Sequence, residues 1–324
     1  MSRNDLKSIG VPLFLDPVKD VQDFPKAPTN SWYVNCAFES DGKQLGFMWH
    51  QQNMKIGPVK ISFGELLLLN GTDNICVSGV ADVGRPQMKN IGENSVSIHT
   101  SIGKFDGNSK KFTMDFAIPN GKLNVELIPQ GTILNNGAVG LFPLMGVDSH
   151  EFGYPDMSVS GTMEMNGHVY EIKDTIAWFD RQWVTTLPNM SKMSKAAWLW
   201  VGLPLSDDGK ESISIWDYYQ PARCSCATLV RKDGAHVVTA AEISYEKIWQ
   251  SAETGNKYPK IVYVDIPAEQ FSIKLTTMID KCEFVQEKAH IEGCQNLCHV
   301  AGTYKGKAIE KCVTLEMIGN LCGD

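Results

Sequence analysis

The sequence predicts a nearly all-β protein built from two antiparallel barrels or sandwiches. Many short segments alternate apolar and polar residues with the period of two that is typical of half-buried strands. Pairs such as Asp41-Gly42 and Asn166-Gly167, which favour tight hairpin turns, separate these segments. The chain has 324 residues, more than one closed barrel needs, so two domains are expected.

The clearest hairpin lies at residues 111–128. Every second residue from Phe112 to Ile118 is apolar, Pro119-Asn-Gly121 favours a turn, and the alternation resumes at Leu123. The other segments predicted as strands are Trp32–Phe38, Gly46–Gln51, Val59–Phe63, Val96–Thr100, Ser158–Met165, His168–Phe179, Ala197–Pro204, Ser212–Tyr219, Ala222–Arg231, Lys260–Ile266, Phe271–Met278 and Thr303–Met317.

Helical periodicity is scarce, and the two best candidates for helices are Phe63–Leu69 and Ala241–Gln250. The segment Val147–Asp156 is rich in Gly, Asp and Pro and predicts a junction near the middle of the chain. We therefore expect an N-terminal domain at residues 1–156 and a C-terminal domain at residues 157–324.

Composition excludes several classes of function. The net charge is −7 and basic residues form no long run, so binding to nucleic acid is not expected. The sequence starts without the apolar segment of a signal peptide, and no apolar stretch is long enough to span a bilayer. Nine cysteines, an odd number with irregular spacing, favour free thiols. These features predict a cytoplasmic protein, and its oligomeric state stays open.

The first candidate for chemistry is the segment from Ile176 to Trp183. Alternation puts Trp178, Asp180 and Gln182 on one side of a strand and Arg181 on the other. A carboxyl group beside an indole in a barrel interior would be desolvated, which raises its pKa and suits it to act as a general acid. The alternative is that Asp180 pairs with an arginine and only joins two strands.

Two further groups are candidates for a ligand site. Trp198 and Trp200 share one face of a predicted strand and could stabilise a developing cation, although tryptophans in β-proteins more often pack in the core. His150, in the sequence His150-Glu-Phe-Gly-Tyr154, could act as an acid, a base or a hydrogen-bond donor. The alternative for His150 is a solvated side chain without a role.

The sequence predicts neither a metal nor a nucleotide cofactor. Four residues with metal-binding side chains lie close together: His290, Cys294, Cys298 and His299. A spacing of four suits a helix, but this region predicts strand and turn, where four residues span about 13 Å. Cys224 and Cys226 lack partners, and no P-loop or GxGxxG motif follows a strand.

Taken in order, several segments resemble a family of two-domain lipocalin-like proteins. This family contains the carotenoid hydratase (hydroxyneurosporene synthase), kievitone hydratase, AttH-type proteins and fungal decalin-forming Diels–Alderases. The resemblance extends from about residue 30 to residue 320. Its segments are Asn30–Val34, Asp41–Lys43, Gly46–His50, Trp178–Trp183, Trp198–Trp200, Lys257–Pro267, Glu292-Gly293, Val300, Gly302, Gly306, Glu316 and Gly319.

The resemblance implies two lipocalin-like antiparallel β-barrel domains with a ligand pocket in or between them. In the hydratase branch an aspartate of the central signature protonates an alkene, and this position corresponds to Asp180. The histidine of an upstream pair corresponds to His150. The implied substrate is a hydrophobic isoprenoid or polyketide-like molecule, and the residues expected to bind it are Trp178, Trp198, Trp200, Phe152, Tyr154 and Gln182.

Three positions depart from the family pattern. Val184 replaces a usual glycine, Ile291 replaces an aromatic residue, and Phe152 replaces the tryptophan of the hydratase pair. The last difference implies a pocket of another shape. Three functions therefore stay open: a cofactor-independent hydratase or dehydratase, an isomerase or pericyclase, and a non-enzymatic carrier. Only the first requires Asp180.

Overall fold

The protein folds into two antiparallel β-sheets, here called sheet A and sheet B. The structure is a computed structural model that describes residues 15–56, 59–81, 87–88, 92–144, 146–186, 196–219, 222–286 and 291–323. Within these residues nearly all regular structure is strand, apart from one turn of 3-10 helix at Pro267–Glu269. The all-β prediction is confirmed, and the two sheets agree with two lipocalin-like β domains.

Sheet A is formed by the N-terminal strands. They are β1 (Thr29–Ser40), β2 (Lys43–Ile56), β3 (Val59–Asn70), β4 (Ile75–Val80), β5 (Gln87–Met88), β6 (Ser95–Thr100), β7 (Gly103–Asn108), β8 (Lys111–Ile118), β9 (Gly121–Pro129), β10 (Leu134–Asn135), β11 (Leu141–Leu144), β12 (Val147–Met165) and β13 (His168–Val184). Their order is β4-β3-β2-β1-β13-β12-β9-β8-β7-β6-β5, and β10 and β11 both pair with β12.

Sheet B is formed by the remaining strands. They are β14 (Ala197–Pro204), β15 (Ser212–Tyr219), β16 (Arg223–Val230), β17 (His236–Ala240), β18 (Glu242–Gln250), β19 (Lys257–Ile266), β20 (Phe271–Thr277), β21 (Glu283–Gln286), β22 (Ile291–Tyr304) and β23 (Lys307–Ile318). Their order is β17-β16-β15-β14-β23-β22-β20-β19-β18, and β21 pairs with β22.

Hairpin turns with two residues in the left-handed region connect the long strands. Asp41-Gly42 joins β1 to β2, and Asn166-Gly167 joins β12 to β13, both with positive φ as a type I′ turn requires. Lys305-Gly306 makes the same kind of turn between β22 and β23. The single strand predicted at Thr303–Met317 is therefore wrong, because this turn divides it into two strands.

Both segments predicted as helices are strands. Phe63–Leu69 lies in β3 and is buried throughout, so its apolar run reflects burial of both strand faces. Most of Ala241–Gln250 lies in β18, which is an edge strand paired only with β19. The structure corrects these two predictions because short apolar runs do not distinguish buried strands from helices.

The middle of the chain is a long strand and not a loop. Val147–Asp156 belongs to β12, which pairs with β13 on one side and with β9 on the other. A register shift between Tyr154 and Met157 accommodates the Gly and Pro residues that suggested a junction. The change from sheet A to sheet B occurs between Val184 and Ala197.

Two apolar cores stabilise the fold. One lies within sheet A and contains Trp32, Trp49, Phe112 and Phe179. The other contains the interior of sheet B together with side chains of sheet A such as Tyr33. The second core therefore joins the sheets, and the face of sheet A that touches sheet B is buried. Among the described residues, no helix has the length and hydropathy to cross a membrane.

Arg181 fixes the segment before β1 against sheet A. It is fully buried, and its guanidinium group lies over the ring of Trp32, 4.4 Å from the ring centre. Its nitrogens donate to the backbone carbonyls of Asp20, Gln22 and Ser31. Burial lowers the pKa of Arg181 to about 9. A buried cation with this many acceptors is a structural anchor.

We expect Arg181→Met to destabilise the protein by about 3–5 kcal/mol, because several buried carbonyl groups lose their donor. Urea denaturation monitored by circular dichroism measures this loss. Lys173→Met is the control, since Lys173 is an exposed residue of the same strand, and it should change the stability by less than about 0.5 kcal/mol. Equal effects of the two substitutions would contradict the anchoring role.

Candidate functional site

A row of side chains crosses sheet A on the face that meets sheet B. In register, Glu65 of β3 lies opposite His50 of β2, His50 opposite Tyr33 of β1, and Tyr33 opposite Asp180 of β13. Asp180 in turn lies opposite Gly153 of β12. Residues directly opposite each other in antiparallel strands share a face. Strand pairing therefore brings an imidazole, a phenol and two carboxyl groups into one line.

A second polar row runs beside the first, two residues further along each strand. Gln52 lies opposite Ser31, Ser31 opposite Gln182, and Gln182 opposite Glu151. The two rows together form a polar patch on the buried face of sheet A. Removing polar groups from water costs free energy of folding. Such a patch therefore indicates a functional surface more than a packing surface.

Sheet B covers this patch with aromatic side chains. Trp216, Trp200 and Glu316 lie opposite one another on β15, β14 and β23, and Gln295 of β22 continues the row. The hydroxyl group of Tyr33 donates to Gln295 Oε1 at 3.2 Å, and the Tyr33 ring packs edge-on against Trp200 with ring centres 5.4 Å apart. An indole wall thus faces the polar patch.

A small cavity of about 40 Å³ lies between the patch and the indole wall. This volume holds only a few water molecules or a small chemical group. The lining residues are Ser31, Tyr33, His50, Gln52, Leu144, Glu151, Asp180, Gln182, Trp198, Trp200, Trp216 and Glu316.

Asp180 is the carboxyl group of the cavity that accepts a hydrogen bond from Trp178. It is 7% exposed, and its Oδ1 accepts a hydrogen bond from Trp178 Nε1 at 2.7 Å. Burial raises its pKa well above the usual value, the bond from Trp178 lowers it in part, and the nearby Glu316 raises it again. The net direction favours the neutral acid.

Two glycines make room for this arrangement. A Cβ atom on Gly153 would lie 2.5 Å from Asp180 Oδ1, and a Cβ atom on Gly202 would lie 2.7 Å from the Trp178 ring. Any larger residue at either position would displace the pair. The hydrogen bond between Trp178 and Asp180 therefore requires glycine at position 153 of β12 and at position 202 of β14.

Glu151 is a second buried acid in the cavity wall. Asn136 Nδ2 donates to its Oε1 at 2.7 Å, and Gln182 Nε2 donates to its Oε2 at 2.8 Å. Burial raises its pKa well above the usual value, and the neighbouring Asp180 raises it further. Two carboxyl groups that line one cavity resist simultaneous ionisation, so the pair favours a state that keeps at least one proton.

Glu316 is the acid contributed by sheet B. It accepts hydrogen bonds from Trp198 Nε1 at 3.2 Å and from Gln295 Nε2 at 3.0 Å. Burial raises its pKa to about 7. Its ionisation therefore falls near neutral pH, and its charge acts on Asp180 across the cavity.

The structure brings together five of the residues that the sequence singled out. Asp180, Gln182, Trp198 and Trp200 line the cavity, and Trp178 donates to Asp180. The predicted alternation along β13 is correct, because Arg181 lies on the opposite face. The pairing of Asp180 with an arginine, the structural alternative, is not observed among the described residues.

Three predicted residues lie elsewhere. His150 stacks on Trp183 with ring centres 5.1 Å apart, on the face of β12 opposite the cavity. Phe152 and Tyr154 pack in the core of sheet A. Along β12 it is Glu151 that points to the cavity, because neighbouring residues of a strand face opposite sides.

Sequence reasoning assigned no role to several residues of the site. Glu151, Glu316, His50, Tyr33 and Trp216 line the cavity, and Glu65 stands behind His50. A signal existed for three of them, since Tyr33, His50 and Glu316 belong to segments of the family resemblance. The others required knowledge of which strands pair and in which register.

A larger cleft lies next to Trp178. It is half open, has a volume of about 350 Å³, and is bordered by both sheets. Its wall includes Phe38, Val313 and Trp178, together with the polar residues Asn35 and Lys311. Since Trp178 also bonds Asp180, this indole connects the cleft to the acid in the cavity.

The residues considered for a metal site do not converge. Cys294 and Cys298 are buried in sheet B, whereas His299 is exposed and lies 3.4 Å from Glu310. His290 lies outside the described residues. Within the part of the chain that the structure describes, no three His, Cys, Asp or Glu side chains are grouped to hold a metal ion.

Comparison with known proteins identifies relatives of the whole chain. The family model described as AttH-like matches residues 17–311. An AttH protein from Nitrosomonas europaea has 17% identity and a TM-score of 0.78, covering 95% of this chain and 97% of that chain.

Two other solved structures are similar. Kievitone hydratase from Nectria haematococca has 17% identity and a TM-score of 0.78, covering 94% of this chain and 93% of that chain. CghA has 13% identity and a TM-score of 0.60, covering 97% and 96%. At these identities the similarity demonstrates a shared fold. No curated protein sequence matches the chain.

The raised pKa of Glu316 predicts a pH-dependent stability. The unfolded chain releases this proton near pH 4.5 and the folded chain near pH 7, so stability falls as the pH rises through this window. Glu316→Gln removes this titration and should remove up to about 3 kcal/mol of the loss between pH 4.5 and 7. Urea denaturation across this range measures the difference.

The control for this prediction is Glu242→Gln, a substitution at an exposed glutamate of β18. It should leave the pH dependence of the wild-type protein unchanged. If Glu316→Gln and the wild-type protein lose the same free energy of unfolding over this range, Glu316 does not titrate near neutral pH.

Proposed function

Because the chain belongs to the AttH-like family, we propose that it is a hydratase or dehydratase that acts on an apolar small molecule, with Asp180 as the general acid and without a cofactor. The observation that carries this proposal is the environment of Asp180. This carboxyl group is buried, bonded to the Trp178 indole and raised in pKa, and it faces a cavity walled by Trp198, Trp200 and Trp216.

Hydration of an isolated alkene starts with a proton. A neutral Asp180 donates its proton to one alkene carbon, and a cation develops on the neighbouring carbon. A carboxyl group with a raised pKa still holds this proton at neutral pH. The faces of the indole rings stabilise a cation by about 1–2 kcal/mol when water is excluded. Water then adds to the cationic carbon and gives up a proton to the Asp180 carboxylate, which leaves a neutral alcohol and restores the acid. Dehydration follows the same steps in reverse.

The cleft beside Trp178 and the cavity beside Asp180 suggest how a substrate would be held. The cavity of about 40 Å³ admits a reacting double bond and water but no larger part of the molecule. The cleft of about 350 Å³ offers a wall of mixed polarity for the remainder, with Phe38, Val313 and Trp178 as its apolar part. We infer an elongated apolar substrate, such as an isoprenoid, a prenylated phenol or a polyketide, that lies in the cleft and passes Trp178 with its reactive end.

Neighbouring acids support the role of Asp180. Glu316 raises the pKa of Asp180 in addition to burial, so an ionised Asp180 is disfavoured in the resting protein. The hydrogen bond from Trp178 is accepted by Oδ1, which leaves Oδ2 for proton donation. His150 lies on the opposite face of β12, so we do not include it among the acids that reach the substrate.

We expect Asp180→Asn to retain the fold and to lose activity by about a hundred- to ten-thousand-fold, because the amide is nearly isosteric but donates no acidic proton. The measurement is incorporation of 18O from labelled water into a panel of isoprenoid alcohols and prenylated phenols, detected by mass spectrometry. Unfolding in urea confirms that the variant is folded.

The matched control is Asp115→Asn, which alters an exposed aspartate of β8 beside Lys104. It should label the panel at the wild-type rate. If Asp180→Asn also retains near-wild-type labelling, Asp180 is not the general acid. If the wild-type protein labels no member of the panel, a cyclase or a carrier becomes the better description of the protein.

A further inference from the structure

Three residues on neighbouring strands form a chain of contacts at one end of the cavity. Ser31 Oγ of β1 lies 2.8 Å from His50 Nε2 of β2. His50 Nδ1 lies 3.9 Å from Glu65 Oε1 of β3. Ser31 and His50 line the cavity, and Glu65 lies behind them. The order hydroxyl, imidazole, carboxyl, with Nε2 toward the hydroxyl and Nδ1 toward the acid, is that of a nucleophile, a base and an orienting acid.

Glu65 is the least expected member of this chain. It is 1% exposed, and neither carboxyl oxygen has a hydrogen-bond partner within the described part of the protein. Burial of such a group is costly and rarely serves stability. Within the described residues, its ion-pair contact is His50 Nδ1, 3.9 Å from Oε1. A small adjustment of either side chain would close this contact into a hydrogen bond, as happens at many sites when a ligand binds.

Other histidine–carboxylate pairs in the described residues differ in their environment. His168 with Asp41, His99 with Asp106 and His299 with Glu310 are all at least a quarter exposed. In the pair of His50 and Glu65 the side chains are only 12% and 1% exposed, and it alone among these pairs contacts a serine in a cavity. Low exposure therefore distinguishes the pair of His50 and Glu65 from ordinary surface pairs, which contribute little to stability.

His50 is a neutral imidazole at neutral pH. Burial lowers its pKa to about 4. The titratable groups that face it are Tyr33 on β1 and Glu65 on β3, and Asp180 and Glu316 lie on other walls of the same cavity. A neutral imidazole whose Nε2 meets a hydroxyl group can accept the proton of that hydroxyl.

We propose that Ser31, His50 and Glu65 form an acyl-transfer triad, so that the cavity hydrolyses esters of short acyl chains in addition to any hydratase activity. Ser31 Oγ attacks the ester carbonyl carbon while its proton passes to His50 Nε2. The alcohol leaves with that proton, and water then hydrolyses the acyl-serine by the same path. Glu65 acts as a positioning residue: burial favours its neutral acid, whose carbonyl oxygen accepts a hydrogen bond from His50 Nδ1–H and so directs Nε2 toward Ser31.

The cavity contains a donor suited to the carbonyl oxygen. The Trp216 side chain lines the cavity, and its buried Nε1 has no hydrogen-bond partner in the described residues. A preorganised N–H group of this kind stabilises the negative charge that develops on the oxygen of a tetrahedral intermediate. The cavity volume of about 40 Å³ restricts the acyl group to a short one such as acetyl.

The test uses a fluorophosphonate probe on the wild-type protein, with intact-mass detection and peptide mapping. The expected result is one adduct per chain, at Ser31, together with hydrolysis of p-nitrophenyl acetate. Ser31→Ala should remove both signals. His50→Gln should slow labelling by at least about a hundredfold, because the base is lost, and Glu65→Gln should give a rate between those of His50→Gln and the wild type.

The control is His168→Gln, which removes a histidine from an exposed pair with Asp41 and should label at the wild-type rate. Absence of an adduct at Ser31 in the folded wild-type protein overturns the proposal, as does labelling of His50→Gln at the wild-type rate. The result is independent of the hydratase test, because the probe contains no alkene and the readout does not depend on proton donation by Asp180.

Discussion

The pairing of β1 with β13 is the constraint on which the site depends. These strands are the first long strand of sheet A and its last, and their register runs from Thr29 opposite Val184 to Cys36 opposite Ala177. Because β1 also pairs with β2, its residue Tyr33 lies between His50 and Asp180. A shift of one residue in this register would turn Asp180 into the core of sheet A and put Arg181 in the cavity.

The alternation along β13 separates two functions of one segment. Arg181 faces the N-terminal segment and anchors it through backbone carbonyls, whereas Asp180 faces sheet B and meets only neutral donors. An arginine on the same face as Asp180 would lower the pKa of that carboxyl group and reduce its value as an acid. The order of Asp180 and Arg181 along β13 therefore matters, because it decides which of the two side chains faces the cavity.

Four carboxyl side chains are buried at the interface between the sheets, where packing alone would favour apolar side chains. Glu65, Glu151, Asp180 and Glu316 are all buried there, and burial raises the pKa of each. Burying charge costs several kcal/mol per group, so these side chains favour their neutral forms. The surrounding indoles exclude water, which keeps the local dielectric low and makes the groups sensitive to one another.

Local patterns in the sequence were enough to predict the all-β class, most strands, the turns at Asp41-Gly42 and Asn166-Gly167, and the shared face of Trp178 and Asp180. These features depend on the period of a strand and on turn chemistry, which act between near neighbours. Only the tertiary structure decided that Glu151 and not His150 reaches the cavity, that Glu65 stands behind His50, and that Trp216 covers the patch. Those contacts follow from the register between strands that are distant in sequence, and no local pattern encodes that register.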